Sequence, residues 1–170
     1  SYILRERNVY GIRPSADLWL DAAEFLELAE FGEARSSKNP QEAQGALENA
    51  LKIYQGEYLP EARYQTWAAE EREHLNVRFL QTADHLAALY LKNGWAEDAI
   101  RVCQEILTQD NCWERAYRHL MQAYDLLGDH GQIARTYRRC QQILENELQI
   151  SPSQETTELF QRLTDSKPGG

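Results

Sequence analysis

An all-α fold of about seven helices, stacked as repeated helix pairs, is what this sequence predicts, and three observations carry the expectation. The first is that residues 79–140 hold one helix pair written twice. Shifted by 34 residues, Phe79 falls on Trp113, His85 on His119, Leu86 on Leu120, Tyr90 on Tyr124 and Gly94 on Gly128. Past the turn, Ala99 meets Ile133 and Cys103 meets Tyr137. The second is the order leucine, tyrosine, glycine at four-residue intervals in both copies. Leucine and tyrosine lie one turn apart on a single face, and glycine closes the helix in the left-handed conformation that other residues resist. The third is that apolar stripes at helical spacing recur along the chain, with no convincing long strand between them.

A 34-residue period made of helix, turn and helix is the tetratricopeptide spacing. It predicts a right-handed superhelix of stacked pairs, here preceded by a short N-terminal β remnant. The competing reading is two ordinary amphipathic hairpins whose loops match in length. A lone pair cannot return in core burial what its backbone loses in entropy, so neighbours must cover its second face. Such a stack leaves one face of every first helix open. That face should include Gln81, Asp84 and Ala88 from one copy and Arg115, Arg118 and Gln122 from the other, a candidate partner-binding surface.

Taken in order, the chain opens with two short β-prone runs, Tyr2-Ile3-Leu4 and Val9-Tyr10-Gly11-Ile12, separated by Arg5-Glu6-Arg7-Asn8. They suggest a small hairpin, or one strand and a tail, marginal without a partner surface. Leu18-Trp19-Leu20 is expected to be extended up to Asp21. Asp21 then caps the first helix with Glu24 reaching back, and Phe25, Leu28 and Ala29 face inward to an end near Ala34. Ser36-Ser37-Lys38 is a polar break. Asn39 caps the second helix, with Pro40 in its first turn and Glu42 completing the box. Leu47, Ala50, Leu51 and Tyr54 form its apolar face, and Gly56 ends it. The bridge at 57–65 carries Tyr58, Leu59, Pro60 and Tyr64, too many large apolar groups for a loop in free solution.

The third helix is long, 66–93, with Trp67, Leu75, Phe79, Leu86 and Tyr90 inward and Glu70, Glu71 and Glu73 near its favourable end. The fourth takes 96–107 with Ala99, Val102, Cys103 and Ile106 inside. Asn111 with Glu114 caps the fifth, which ends at Gly128. The sixth spans 132–148, and Ser151-Pro152-Ser153-Gln154 starts a last helix through Leu163 that bears Leu159 and Phe160.

A chain of 170 residues fits one domain with a real core, and 42% hydrophobic against 26% charged residues excludes wholesale disorder. With 27 acids against 18 bases and a net charge of −9, this chain is not built to hold nucleic acid by itself. No apolar run long enough for a membrane span and no signal-peptide pattern occurs, so a soluble, cytoplasmic chain with no membrane partner is expected. Of the three cysteines, Cys103 and Cys140 fall at apolar helix positions, as buried thiols do, in preference to a disulfide or a metal site. A start at Ser1 without methionine and an end in Lys167-Pro168-Gly169-Gly170 have the look of a piece of a longer protein.

Chemistry is hard to find. His85 and His119 recur by architecture, His130 sits in a turn, His74 lies among charges, and no pair has metal-ligand spacing. No glycine-rich phosphate loop follows a strand and no G-x-S-x-G elbow is present, so neither a cofactor nor a catalytic residue is expected. Glu70, Glu71, Glu73, Asp98 and Glu105 read as solvated helix faces. The sequence predicts no enzyme. Arg135, Arg138 and Arg139 form a basic cluster in an acidic chain, with Arg115 and Arg118 one helix earlier, and together they offer a candidate positive patch for an acidic protein surface. A plain solvated face is the simpler alternative.

These residues resemble the bacterial transcriptional activation domain, the helical-repeat module that follows an OmpR-like winged helix in SARP-type activators. The bridge carries the likeness: Leu51, Tyr54, Gly56, Leu59-Pro60, Tyr64, Trp67, then Glu71-Arg72 and Leu75. Tyr10-Gly11-Ile12 resembles the last winged-helix strand, Asp21 with Phe25 the opening of the module, and Ile150-Ser151-Pro152-Ser153 with Leu159 and Phe160 its exit. The family usually reads Gly-Tyr-Arg-Leu where this chain has Val9-Tyr10-Gly11-Ile12. Ile133 stands where the repeat prefers a small residue, and Gly131 is unusual near a helix start. The resemblance implies a winged-helix remnant over 1–14, the activation domain over 15–165 and a disordered tail over 166–170. It also implies a regulatory protein-interaction role in DNA-templated transcription, with DNA reached through a recognition helix this chain lacks. The expected partner is a protein: its own winged helix, a second protomer in a homodimer, or the transcription machinery. Two alternatives are a small-molecule sensor with a pocket at Tyr58, Tyr64 and Trp67, and a repeat scaffold of a signalling ATPase.

Overall fold

The computed structural model describes residues 3–6, 9–12, 16–54 and 68–166. A two-stranded antiparallel hairpin, β1 (Ile3–Glu6) and β2 (Val9–Ile12), pairs Ile3 with Ile12 and Glu6 with Val9. Arg5 and Glu6, expected in the loop, therefore belong to the strand; ladder hydrogen bonds use the backbone and tolerate charged side chains. Seven helices follow among the described residues: α1 (Ala16–Arg35), α2 (Pro40–Lys52), α3 (Ala69–Lys92), α4 (Ala96–Gln109), α5 (Glu114–Leu126), α6 (His130–Leu148) and α7 (Gln154–Asp165). The class is all-α and tetratricopeptide-like. Two compact units divide the chain, Ser1–Thr82 and Ala83–Gly170, and α3 runs from the first into the second.

In the first unit, α1 starts at Ala16, so Leu18-Trp19-Leu20 is helical and not extended. Alanine and leucine favour helix, and Trp19 and Leu20 stay 50% and 67% exposed, so burial does not override that preference. Asp21 consequently sits inside the helix and does not cap it. Gly32 sets the approach of α1 to α2: a Cβ there would lie 2.6 Å from Leu47 Cγ and 3.0 Å from the Ala43 carbonyl oxygen. Asn39 caps α2 as expected, its Oδ1 accepting from the Glu42 amide, but the box is not closed: the Asn39 backbone amide donates to the Arg35 carbonyl, and Glu42 Oε2 accepts from the Asn39 side-chain amide and from Arg35. Tyr54 bridges Phe25 (5.5 Å between ring centres) and Phe79 (4.4 Å, stacked), and its hydroxyl bonds to Asn76. The proposed helix end at Gly56, the bridge at 57–65 and Trp67 lie outside the described residues.

In the second unit the duplicated pair is realised in detail. Gly94 and Gly128 take φ of 77° and 72°. Each turn is closed by the same two bonds: the Trp95 amide to Tyr90 O (2.8 Å) and the Gly94 amide to Leu91 O (3.1 Å), then the Asp129 amide to Tyr124 O (2.9 Å) and the Gly128 amide to Asp125 O (3.0 Å). That is a Schellman closure, and it requires the left-handed residue that glycine supplies without strain. Leu86, Tyr90, Ala99, Val102, Cys103, Ile106, Tyr117 and Leu120 are buried as the stripes require. Met121, Ile133 and Leu159 form a cluster flanked by Tyr124, Tyr137, Phe160 and Leu163. Ile133, where the repeat prefers a small residue, is thus enclosed by a long flexible methionine and by α7.

Two helix starts in the second unit differ from expectation as well. Asn111 does not cap α5, whose first residue follows Trp113 with no side-chain cap. Glu114, expected to complete the box, is itself the first residue of the helix and accepts from the amide and the hydroxyl of Ser153, both at 2.7 Å. Asn111 instead accepts from the Cys112 thiol with its side-chain Oδ1 at 3.5 Å, and its backbone carbonyl accepts from the Tyr117 hydroxyl at 2.7 Å. The sixth helix begins at His130, two residues earlier than expected, because Asp129 accepts the Gln132 amide and Gly131 is carried in the first turn. Within the expected Ser151-Pro152-Ser153-Gln154 start, Ser153 is the residue that caps α7, accepting from the Thr156 amide.

Gly32→Ala should lower the unfolding free energy by about 1–3 kcal/mol through overpacking against Leu47. Leu120→Ala, fully inside the second unit, should cost about 2–5 kcal/mol. Urea denaturation of the two variants checks both.

Candidate functional site

The second unit carries an open groove built from one turn of α3 and several turns each of α5 and α7. Its apolar half is lined by Ala88 and Leu91 of α3, Leu126 of α5, and Leu159 and Leu163 of α7, with Lys92, Asp125 and Arg162 at the margins and a volume of about 400 Å³. Its polar half, about 560 Å³, is lined by Arg115, Arg118, Glu155, Glu158 and Arg162. His119, Gln122, Leu159 and Arg162 line both. The three- and four-residue spacings along each helix put these groups on one side, while the opposite stripes are consumed in packing. Leu126 remains 53% exposed although it neighbours buried positions.

Beneath the polar half lies a buried carboxylate. Asp84 is only 2% exposed. Its Oδ2 accepts from Arg115 at 2.8 Å, and its Oδ1 lies 3.3 Å from the donating Trp113 indole nitrogen and 3.2 Å from His119 Nε2. Burial by itself raises the Asp84 pKa, but the hydrogen bond and charge of His119, the charge of Arg115 and the indole outweigh it and hold the carboxyl below its ordinary value. Arg118 is similarly committed: it donates to Thr156 Oγ1 at 2.9 Å and faces Glu155 at 3.5 Å and Glu114 at 3.9 Å. Burial pushes Glu114 up, yet its bonds to Thr156 and Ser153 and the charge of Arg118 bring it below the usual range. Burial raises the Cys140 thiol to about 12 and the Tyr117 phenol to about 12. Cys103 is raised as well, by burial and by Asp84, so both thiols pack as neutral groups.

Of the residues singled out from sequence, Arg115, Arg118 and Gln122 line the groove. Asp84 is a correction: it is interior and cannot itself meet a partner. It shares a helix side with Leu80 and Ala87, a spacing that already marks it as inward. Gln81 is exposed and belongs to the first unit. Arg135, Arg138 and Arg139 are exposed on α6 and do not line the groove, so they form no common lining there with Arg115 and Arg118. Tyr58, Tyr64 and Trp67 lie outside the described residues. Lys92, His119, Leu126, Arg162 and Leu163 were not singled out. Lys92 and Leu126 lie where each first helix runs into its glycine turn, which is the signal that could have found them. His85 and His119, paired by the repeat, part company: His85 is exposed, whereas His119 reaches Asp84. Among the described residues no three His, Cys, Asp or Glu side chains converge as a metal site would need, and no helix is long and apolar enough to cross a membrane.

Asp84→Asn keeps the shape but removes the charge, leaving Arg115 and His119 without their anion. An expected loss of about 1–3 kcal/mol should appear in urea melts at neutral pH. Because the folded pKa of Asp84 is depressed, its stabilisation is present above the ordinary value of 3.8 and disappears as pH falls through the lower folded value. The gap between the two proteins should therefore close on acidification, as read by melting at stepped pH.

The profile of the bacterial transcriptional activator domain matches residues 20–164. The transcriptional regulator RedD of Streptomyces coelicolor is 30% identical over 136 residues, which are 78% of this chain and 38% of that protein, so the chain spans well under half of this relative. With the repeat spacing, the helix order and the profile in agreement over most of its length, the chain belongs to the bacterial transcriptional activator domain family.

Proposed function

We propose that this chain is the regulatory protein-interaction module of a bacterial transcription activator. It controls DNA-templated transcription by binding a protein, either the activator's own winged helix, a second protomer or the transcription machinery. In this reading residues 1–14 are the end of a winged-helix domain, 15–165 the activation domain and 166–170 a tail. DNA is contacted by the winged helix and not by this acidic chain. The carrying observation is the groove of α3, α5 and α7, an apolar strip beside a charged one on a member of an activator-domain family. Its open form favours a polypeptide over a small ligand, since small-molecule sites enclose most of their occupant.

Charge reversal at Arg115 or Arg118 would be a poor test, because both guanidiniums are tied to the fold through Asp84, Glu114 and Thr156. Leu126 and Gln122 are better, being exposed and half-buried respectively and free of such ties among the described residues. In the full-length activator, Leu126→Asp with Gln122→Lys should reduce reporter transcription at least about fivefold, the order of a lost interface contact. Promoter binding by gel shift and the melting temperature should stay unchanged. Undiminished transcription, or a parallel loss of promoter binding, would refute the role assigned to this face.

A further inference from the structure

Of the seven asparagines in the sequence, Asn93 alone is followed by glycine, and the Asn93-Gly94 pair forms the turn that closes α3. Such a pair is chemically reactive, because glycine has no side chain to keep its backbone nitrogen away from the asparagine amide carbon. Asn93 and Gly94 are both exposed, and a Cβ on Gly94 would meet nothing within 4 Å, so a ring has room and water has access. The nitrogen itself is occupied. The Gly94 amide donates to Leu91 O at 3.1 Å, and the Asn93 and Trp95 amides donate to Leu89 O at 3.1 Å and Tyr90 O at 2.8 Å. The φ of 77° at Gly94 belongs to that closed arrangement. Ring closure needs the Gly94 nitrogen released from Leu91 and swung onto Asn93 Cγ, which the closed turn prevents. The second copy has Leu127 before Gly128 and offers no such side-chain amide.

We propose that Asn93 is a site of spontaneous deamidation, gated by the glycine turn at the end of α3. Opening of the turn is a local event that does not require the whole chain to unfold. The freed Gly94 nitrogen attacks Asn93 Cγ, ammonia leaves with the Gly94 amide proton, and a cyclic imide remains. Water then adds to either carbonyl of the imide. Cleavage of the new N–Cγ bond gives aspartate on the original backbone. Cleavage of the former peptide bond gives isoaspartate, with an added methylene in the main chain. Aspartate puts a carboxylate at a helix C-terminus, beside the groove residue Lys92. Isoaspartate lengthens the path from Tyr90 to Trp95, whose carbonyl and amide the closure must bring together. Either product alters the α3 end of the groove, and the twin turn at Gly128 is immune.

The test incubates the intact 170-residue chain at mildly alkaline pH in stepped guanidinium chloride, then reads every asparagine by peptide mapping and mass spectrometry. Above the unfolding transition, Asn93 should convert faster than any other asparagine, to aspartate and isoaspartate together. Asn93→Gln should all but abolish conversion at this position. Without denaturant Asn93 should react at least about tenfold more slowly, and concentrations below the transition should speed it. The isoaspartate form, separated by ion exchange, should melt below Asn93→Asp, which carries the charge without the methylene. No product at Asn93 in the unfolded chain, equal rates in the folded and unfolded chain, or a rate indifferent to denaturant below the transition would overturn the proposal. An isoaspartate form melting together with Asn93→Asp would overturn the damage assigned to the lengthened turn.

Discussion

Asp84 is the point at which the two copies of the helix pair are held in register. A carboxylate taken from water is costly unless its oxygens are matched, and here α3 supplies the acid while α5 and the residue before it supply three donors. Apolar packing alone would tolerate small slides of one helix along another. A buried acid that must meet a guanidinium, an imidazole and an indole together tolerates none. The groove inherits that precision, since Arg115 and His119 are at once ligands of the acid and part of the polar lining.

A second tie works at the other side of α5. Glu114 reaches the amide and hydroxyl of Ser153, at the very residue that caps α7, and Arg118 adds Thr156. The start of α7 is thus specified by α5 as much as by its own cap. Phe160 stacked on Tyr137 at 4.1 Å then fixes the rotation of α7 against α6 and turns Leu159 into the core beside Leu163 and Arg162 at the groove. Polar contacts place these helices, and apolar ones hold them.

Much of this was legible in the sequence, for reasons that differ by level. Helix existence followed from stripes at helical spacing, and the two glycine turns from the left-handed backbone their offset implies. Local signals failed where a distant residue competed. Glu114 looked like the completion of an Asn111 cap, but Ser153 takes its carboxylate. Leu18-Trp19-Leu20 was expected to be extended, yet its neighbours favour helix and Trp19 stays half exposed. The groove was only half legible: Arg115, Arg118 and Gln122 were on the right face. The burial of Asp84 follows from its place beside Leu80 and Ala87, whereas its pairing with Arg115 and His119 depends on how the helices pack, and spacing alone does not decide that.

The identical closures at Gly94 and Gly128 have a kinetic side. Each joins residues close in sequence, so either hairpin can zip before long-range contacts exist, and neither has priority over the other. Nucleation in this unit is accordingly redundant: damage to one glycine turn slows one route and leaves its twin open.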